Sequence, residues 1–313
     1  MPRSHTGSHR KSARNDRMTP DRLRAVLKQT FAGWWNDNVP RMGAALAYYT
    51  LFALAPILIV VIAVGGMAFG PAAVRGEIVA QIQDLVGPDG AQAVQSILES
   101  AANSHWSIPA TIIGVITFFL GATGAFLELQ DNLNAIWRVK PRSRGNFLRD
   151  LLTQRIISFG LVLGFAFLLL TSLVVSAALS AVHTYVGSVF PGVAALWRAG
   201  YVVMSLGVIT LLFGMIYKVL PDVKLTWADV WVGALVTAGL FTIGKYLIGL
   251  YLGTSSLSST YGAAGSVIVV LVWVYYSSQI VLFGAEFTRA WVERFGPRPP
   301  PVEFATKDSN PQN

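Results

Sequence analysis

The chain has 313 residues, of which 53% are hydrophobic and only 13% are charged. A soluble domain usually carries about 25% charged residues, so this composition excludes an ordinary soluble protein. The absence of cysteine excludes disulfides, thiolate catalysis and metal sites that use cysteine, and the net charge of +8 has to be interpreted from its distribution along the chain.

The N-terminal region predicts a disordered basic tail followed by an amphipathic helix. Residues 1–18 are rich in Arg, Ser, His and Asn, which favours disorder. A helix is predicted over 19–40, because Thr19 is a suitable N-cap and Pro20 a suitable first helical residue. Its apolar residues recur at helical spacing: Leu23, Val26, Leu27, Phe31, Trp34 and Trp35. Such a helix lies in the inner membrane interface, where it either anchors the chain or senses lipid and gates a path.

Long stretches without charge predict an all-α polytopic bundle of six transmembrane helices. The predicted spans are 42–68, 107–127, 156–181, 199–219, 229–252 and 263–286, within a transmembrane domain over 41–295. Pro56 predicts a kink in the first span, because proline removes a backbone hydrogen bond. Apolar positions on either side of a Gly-Pro-Asp-Gly break predict an outward helical hairpin at about 72–104, and residues 296–313 are predicted to be a disordered tail.

The distribution of basic residues predicts the orientation of the bundle. Of the 24 Lys and Arg residues, 21 fall in the N-terminal segment, the loops 128–155 and 218–229, and the C-terminal segment 286–313. The intervening loops contain only Arg75 and Arg198. By the positive-inside rule both termini are cytoplasmic. Membrane topology thus explains the positive charge, and no nucleic-acid partner is needed.

Polar side chains inside the last predicted span are the first candidates for a functional site. Tyr275, Gln279 and Glu286 recur at helical spacing on one face. Burying such groups in lipid is costly unless they face protein or water. They therefore either line an interior cavity or make hydrogen bonds between helices, and both interpretations stay open.

Other polar positions have two interpretations as well. Lys245 in the fifth span either reaches the outer headgroups or a carboxylate, or binds an anionic substrate. Glu128 and Asn134 follow the second span as an inner gate, a headgroup site or an interfacial cap. Gly262 and Gly265 belong to a Gly/Ser-rich segment that is either a flexible outer gate or a place of close helix packing.

Several of these segments together resemble the YihY/BrkB family of membrane proteins. The resemblance covers about 30–295 and is carried by Ala45–Pro56, Gly121–Gly124, Leu133–Trp137, Leu220–Lys224, Gly244–Tyr251, Tyr261–Ser266, Trp273–Gln279 and Gly284–Thr288. It implies a bacterial inner-membrane protein of about six helices with no settled activity. Some members are linked to serum resistance and virulence, and members are suspected of moving lipids. One was labelled a tRNA-processing ribonuclease BN, an assignment regarded as mistaken.

The leading hypothesis is a transporter-like inner-membrane protein that translocates lipid or another amphiphile. Its path is expected to be lined by Lys245, Glu286, Gln279, Tyr275, Glu128 and Asn134. We expect no catalytic residue, metal or cofactor, with membrane lipids as partners and homo-oligomers or envelope proteins as further ones. The alternative is a structural scaffold of the envelope, and a ribonuclease with cytoplasmic carboxylates is the third hypothesis.

Overall fold

The computed structural model describes residues 20–86, 91–92, 94–95, 99, 124–141, 194–254, 263–296, 300–301 and 305–307. The long elements among them are all helices: α1 Pro20–Asn36, α2 Val39–Phe69, α3 Pro71–Val86, α4 over residues 124–137, α5 Ala194–Val219, α6 Trp227–Thr254 and α7 Ala263–Phe295. Two short strands, β1 Val139–Pro141 and β2 Ala305–Lys307, pair in antiparallel register. The predicted helical architecture is confirmed.

Three of the described helices are long and apolar enough to cross a membrane. The qualifying stretches are Val202–Val219 in α5, Trp227–Tyr251 in α6 and Val267–Phe295 in α7, which overlap the last three predicted spans. The first predicted span lies within α2, and this helix continues through the position of Pro56. The predicted span 156–181, most of 107–127, and Gly262 lie outside the described residues. The total of six spans therefore stays a prediction.

The helices begin and end where the local sequence favours it. Asn38 separates α1 from α2 with φ 54° and ψ 38°, a left-handed conformation that Asn tolerates better than most residues. Pro40 follows in the first turn of α2, where its missing N–H is not needed. At the start of α6 the Asp229 carboxylate accepts hydrogen bonds from the Thr226 N–H, at 2.8 Å, and the Thr226 hydroxyl, at 2.7 Å. This local pair closes the N-terminus of α6.

Helix α7 packs against α1, α2 and α6. Small residues let the backbones approach: Gly233 of α6 faces Thr288, and Gly244 of α6 faces Tyr276, so α6 and α7 run antiparallel. Gly43 of α2 faces Gln279 in the same way. Close contact through glycine is the usual means of helix association in membranes, where no hydrophobic effect drives helices together.

The described basic segments meet at one end of the bundle. The Gln29 amide of α1 donates to the Glu293 carboxylate of α7 at 2.6 Å. The Lys224 N–H donates to the Pro300 carbonyl at 3.0 Å, and β1 pairs with β2. These contacts join the loop after α5, the segment after α4 and the C-terminal segment, which are all regions rich in Lys and Arg. This common end agrees with the predicted shared side of both termini. Residues 305–307, which the sequence predicts to be disordered, form β2 because the exposed edge of β1 offers backbone partners.

Candidate functional site

A buried ionic cluster lies where α1, α4 and α7 meet. Arg289 of α7 is 4% exposed, and its Nη1 lies 2.9 Å from Oδ2 of Asp37. Nη1 also donates a short hydrogen bond to the Ile136 carbonyl at the end of α4. Nη2 of Arg289 lies 2.9 Å from Oε2 of Glu286, and Arg138 Nη2 lies 3.9 Å from Asp37 Oδ1. We call Asp37, Arg138, Glu286 and Arg289 the ionic cluster.

Glu286 is the most enclosed member of the ionic cluster. Its exposed fraction is 0%, and neither carboxylate oxygen accepts a hydrogen bond from any residue that the structure describes. The 2.9 Å contact with Arg289 is therefore an ion pair by distance without the direction of a hydrogen bond. Gly33 of α1 covers the carboxylate so closely that a Cβ there would lie 2.9 Å from Glu286 Cδ. Helix α1 thus seals this group from water.

A second polar contact joins α4 to the loop between α5 and α6. Asn134 Nδ2 donates to Asp222 Oδ2 at 2.9 Å, and the Asp222 N–H donates to Asn134 Oδ1 at 2.8 Å. Gln130 Nε2 donates to Asp222 Oδ1 at 3.4 Å. The two reciprocal bonds fix the Asn134 side chain, which is 4% exposed, in one orientation. Asn134 therefore positions the loop that follows α5.

Three carboxyl groups around this contact have raised pKa values. Burial raises the pKa of Asp222, although hydrogen bonds from Asn134 and Gln130 oppose that rise. Burial also raises the pKa of Asp131, and the charge of Asp222 adds to the effect. For Glu128, burial and the charge of Asp131 raise the pKa against a hydrogen bond with Asn132, which lowers it. This part of α4 and the neighbouring loop is thus a place where carboxyl groups retain protons to higher pH than in water.

Replacing Asp222 with Asn should flatten the pH dependence of stability. An acid whose pKa is raised by folding stabilises the protein below its ordinary pKa, and this contribution is lost as pH rises through the raised value. The slope of stability against pH is measured by melting temperatures of the detergent-solubilised protein at pH values from below the ordinary pKa of aspartate to above the raised pKa of Asp222. Asp21→Asn, on an exposed residue of α1, is the matched control and should leave the slope unchanged. An equal slope in Asp222→Asn and native protein would contradict the assignment.

The three polar residues predicted on one face of α7, Tyr275, Gln279 and Glu286, do not share one environment. Gln279 packs on Gly43, and its Nε2 lies 3.5 Å from the Val39 carbonyl, while its buried Oε1 accepts no hydrogen bond among the described residues. Tyr275 is 37% exposed. Gln279 and Glu286 thus lie in the interface with α1 and α2, whereas Tyr275 is at its edge. The described residues do not join all three in one cavity.

Lys245 is separate from the ionic cluster. Its Nζ lies 5.2 Å from the centre of the Tyr246 ring, and neighbouring Gly244 contacts Tyr276. Because Tyr276 and Glu286 are ten positions apart in α7, Lys245 is about 15 Å along the helix axis from Glu286. Of the other predicted residues, Glu128 is half-buried on α4, Asn134 bonds to Asp222 as described, and Gly265 is buried in the first turn of α7.

Sequence reasoning did not single out Arg289 or Asp37 as site residues. Arg289 follows Glu286 by three positions, a spacing at which opposite charges meet on a helix, so that signal was present. Asp37 and Arg138 are far apart in the chain, and only the tertiary fold brings them together. Asp131 of α4 interacts with Asp222, whereas Arg138 lies near Asp37.

An apolar groove of about 310 Å³ also borders α1. Helices α1, α6 and α7 form its walls, with Phe31, Trp34, Leu240, Ile243, Gly244, Leu247, Tyr276, Gln279, Ile280 and Phe283 as lining residues. Ile243 and Leu247 are 60% and 58% exposed, so the groove opens sideways from the bundle. Gln279 belongs both to the groove wall and to the interface with α2.

Comparisons with known proteins agree with these motifs. The profile of the family described as Virulence factor BrkB matches residues 30–306. A UPF0761 membrane protein of Pseudomonas paraeruginosa is 30% identical over 271 residues, which cover 84% of this chain and 63% of that protein. A UPF0761 membrane protein of Tolumonas auensis is 29% identical over 292 residues, covering 88% and 89%. This chain therefore spans less than two thirds of the length of the Pseudomonas paraeruginosa protein and most of the length of the Tolumonas auensis protein.

No solved structure matches the chain. The family match covers most of the sequence, including Asp37, Asn134, Asp222, Glu286 and Arg289, so both polar contacts lie inside the matched region. The relatives are named as membrane proteins, in agreement with the three span-length helices. The resemblance inferred from the motifs is thereby confirmed, and the chain belongs to the BrkB family of membrane proteins.

Proposed function

We propose that this protein moves lipid or another amphiphile between the two leaflets of the bacterial inner membrane. The observation that carries the proposal is that α1 contributes both to a buried ionic cluster and to the wall of an apolar groove. Gly33 of α1 faces Glu286, while Phe31 and Trp34 line the groove. An amphiphile needs both environments, because its chain prefers hydrocarbon and its headgroup prefers polar partners.

Energetic cost supports a functional role for the ionic cluster. Ionisable side chains within membrane helices are expensive, and they usually mark substrate or ion pathways. Glu286 and Arg289 lie in the apolar stretch Val267–Phe295 of α7. Replacing a buried ion pair with apolar residues is often neutral or stabilising, so stability alone is a weak reason for its presence.

The proposed path runs from the inner end of α4 along α7 towards Lys245. We assign Asn134 and Glu128 to its inner end, Glu286 and Gln279 to its middle, and Tyr275 and Lys245 to its outer part. Lys245 directly follows Gly244, which lines the groove. The basic segments that meet at one end of the bundle support an orientation with both termini in the cytoplasm. We propose no catalytic residue, metal or cofactor for this function.

Transbilayer movement of fluorescent phospholipids in liposomes tests the proposal. Purified native protein should speed this movement above protein-free liposomes, and the Lys245→Ala/Glu286→Gln double variant should abolish the increase. The matched control is Lys224→Ala/Glu293→Gln, which makes the same changes at two exposed residues. Equal movement in the path variant and the control would show that the proposed path is wrong.

A structural scaffold of the envelope is the second candidate. Its support is the set of contacts that tie α1, the end of α4, the α5–α6 loop and the C-terminal segment together at one end. Such a joined surface suits the binding of other envelope proteins. This candidate predicts that Glu286→Gln reduces the cellular phenotype only as far as it lowers the amount of folded protein, which quantitative blotting of membranes measures.

A further inference from the structure

A negative charge on Glu286 would be less well compensated than the negative charge of Asp37, which lies near both Arg289 and Arg138. Arg289 commits Nη1 to both Asp37 and the Ile136 carbonyl. Its Nη2 is near Glu286 Oε2 without hydrogen-bond geometry, and its buried Nε has no acceptor among the described residues. An ionised carboxylate in this position would lack the hydrogen bonds that a buried charge requires.

The charged groups around Glu286 do not remove this deficit. Among the described residues, those that interact with it are Arg289 on the same helix, Asp37 in the turn after α1, and Arg138 after α4. Arg138 is half-exposed and lies 3.9 Å from Asp37, so it mainly compensates Asp37. Helix α1 contributes Gly33, which has no side chain and no charge, at the contact itself. Two carboxylates thus share one buried guanidinium.

Docking of α1 keeps water away from Glu286. Next to Gly33, the rings of Phe31 and Phe283 meet edge to face at 5.1 Å. About two turns before Gly33, Val26 is 0% exposed and packs with the buried Phe287. While these contacts are in place, no solvent reaches the carboxylate, and hydration cannot stabilise its ionised form.

We propose that Glu286 is a proton-binding site, which holds a proton while α1 is docked on α7 and releases it when α1 moves away. The neutral acid needs no counter-charge, so it suits the sealed position under Gly33. Release passes the proton to water that enters as α1 leaves, and Arg289 can then turn fully towards the new carboxylate. The site would make the proton the coupling ion, an inference that rests on the proposed translocation function while being measurable without it.

Infrared difference spectra of the full chain in liposomes test proton binding directly. The native spectrum minus that of Glu286→Gln should contain one carbonyl band of a protonated carboxylic acid, which is lost at alkaline pH. Glu293→Gln is the matched control, because it changes an exposed glutamate of the same helix whose new amide oxygen can still accept the hydrogen bond from Gln29, and it should retain the band. Glutamine imitates the neutral acid, so the Glu286→Gln protein should fold. Failure of this variant to fold, or absence of the band, would overturn the proposal.

The movement of α1 is measured by the distance between two spin labels. Since the chain contains no cysteine, Lys28→Cys on α1 and Arg294→Cys on α7 introduce the only labelling sites, both at exposed positions. A second, longer distance should appear at alkaline pH, and its population should be lost when Glu286→Gln is added. A distance that does not respond to pH would overturn the coupling to α1. Lipid movement that is absent while both pH responses are present would refute the proposed function alone.

Discussion

Arg289→Met is expected to lower the free energy of unfolding by about 3–5 kcal/mol. Arg289 is 4% exposed and is the shared partner of Asp37, Glu286 and the Ile136 carbonyl. Methionine fills similar apolar volume but leaves the Asp37 carboxylate and the Ile136 carbonyl without their hydrogen-bond donor, and Glu286 without its nearby positive charge. Removing one partner of a buried ion pair is much more damaging than replacing the whole pair.

Thermal unfolding of the detergent-solubilised protein measures this loss. Arg294→Met is the matched control, because it makes the same substitution at an exposed position of α7. A surface change of this kind alters stability by about 0.5 kcal/mol or less. If both variants melt at the same temperature, Arg289 does not connect α1, α4 and α7 in the way the contacts indicate.

Gly233→Ala is expected to destabilise the contact between α6 and α7 by about 2 kcal/mol. A Cβ at Gly233 would lie 2.8 Å from Thr288 Cβ and 3.2 Å from Thr288 Cα. Since one of these atoms is backbone, a change of side-chain rotamer cannot relieve the overlap. Overpacking of this kind costs about 3 kcal/mol, and the better helix propensity of alanine offsets about 1 kcal/mol of it.

The same helix offers a control that differs only in packing. Gly239 has no heavy atom within 4 Å of its added Cβ, so Gly239→Ala should leave stability unchanged or raise it by up to about 1 kcal/mol. Melting temperatures of the two variants should therefore move in opposite directions. An equally lowered melting temperature for Gly239→Ala would show that the loss of glycine itself, and not the contact with Thr288, destabilises the Gly233→Ala protein.

Helical content and span positions could be predicted because they depend on local composition. The stretches 199–219, 229–252 and 263–286 contain few charges and overlap the span-length parts of α5, α6 and α7. Pairing between distant segments could not be predicted in this way. The join of β1 to β2 uses backbone hydrogen bonds between residues 139–141 and 305–307, and backbone groups carry no sequence signal.

Some residues of the candidate site could be recognised from the sequence, but their partners and arrangement could not. Glu286, Gln279 and Asn134 were recognisable because polar groups are rare in apolar helices. Their partners depend on tertiary contacts: Asp37 reaches Arg289 across a turn with a left-handed Asn38, and Asp222 meets Asn134 from another loop. Periodicity places side chains on a face, but it does not say which helix covers that face.

The central position of α7 has a consequence for biosynthesis. This helix follows α1, α2 and α6 in chain order, yet it supplies the packing surface for all three. The earlier helices are therefore synthesised before their common partner. Until α7 is made, Gly33 and Gly43 lack the side chains that cover them, and Asp37 lacks Arg289. We expect the nascent protein to be most vulnerable to membrane proteases during that interval, which insertion of α7 ends.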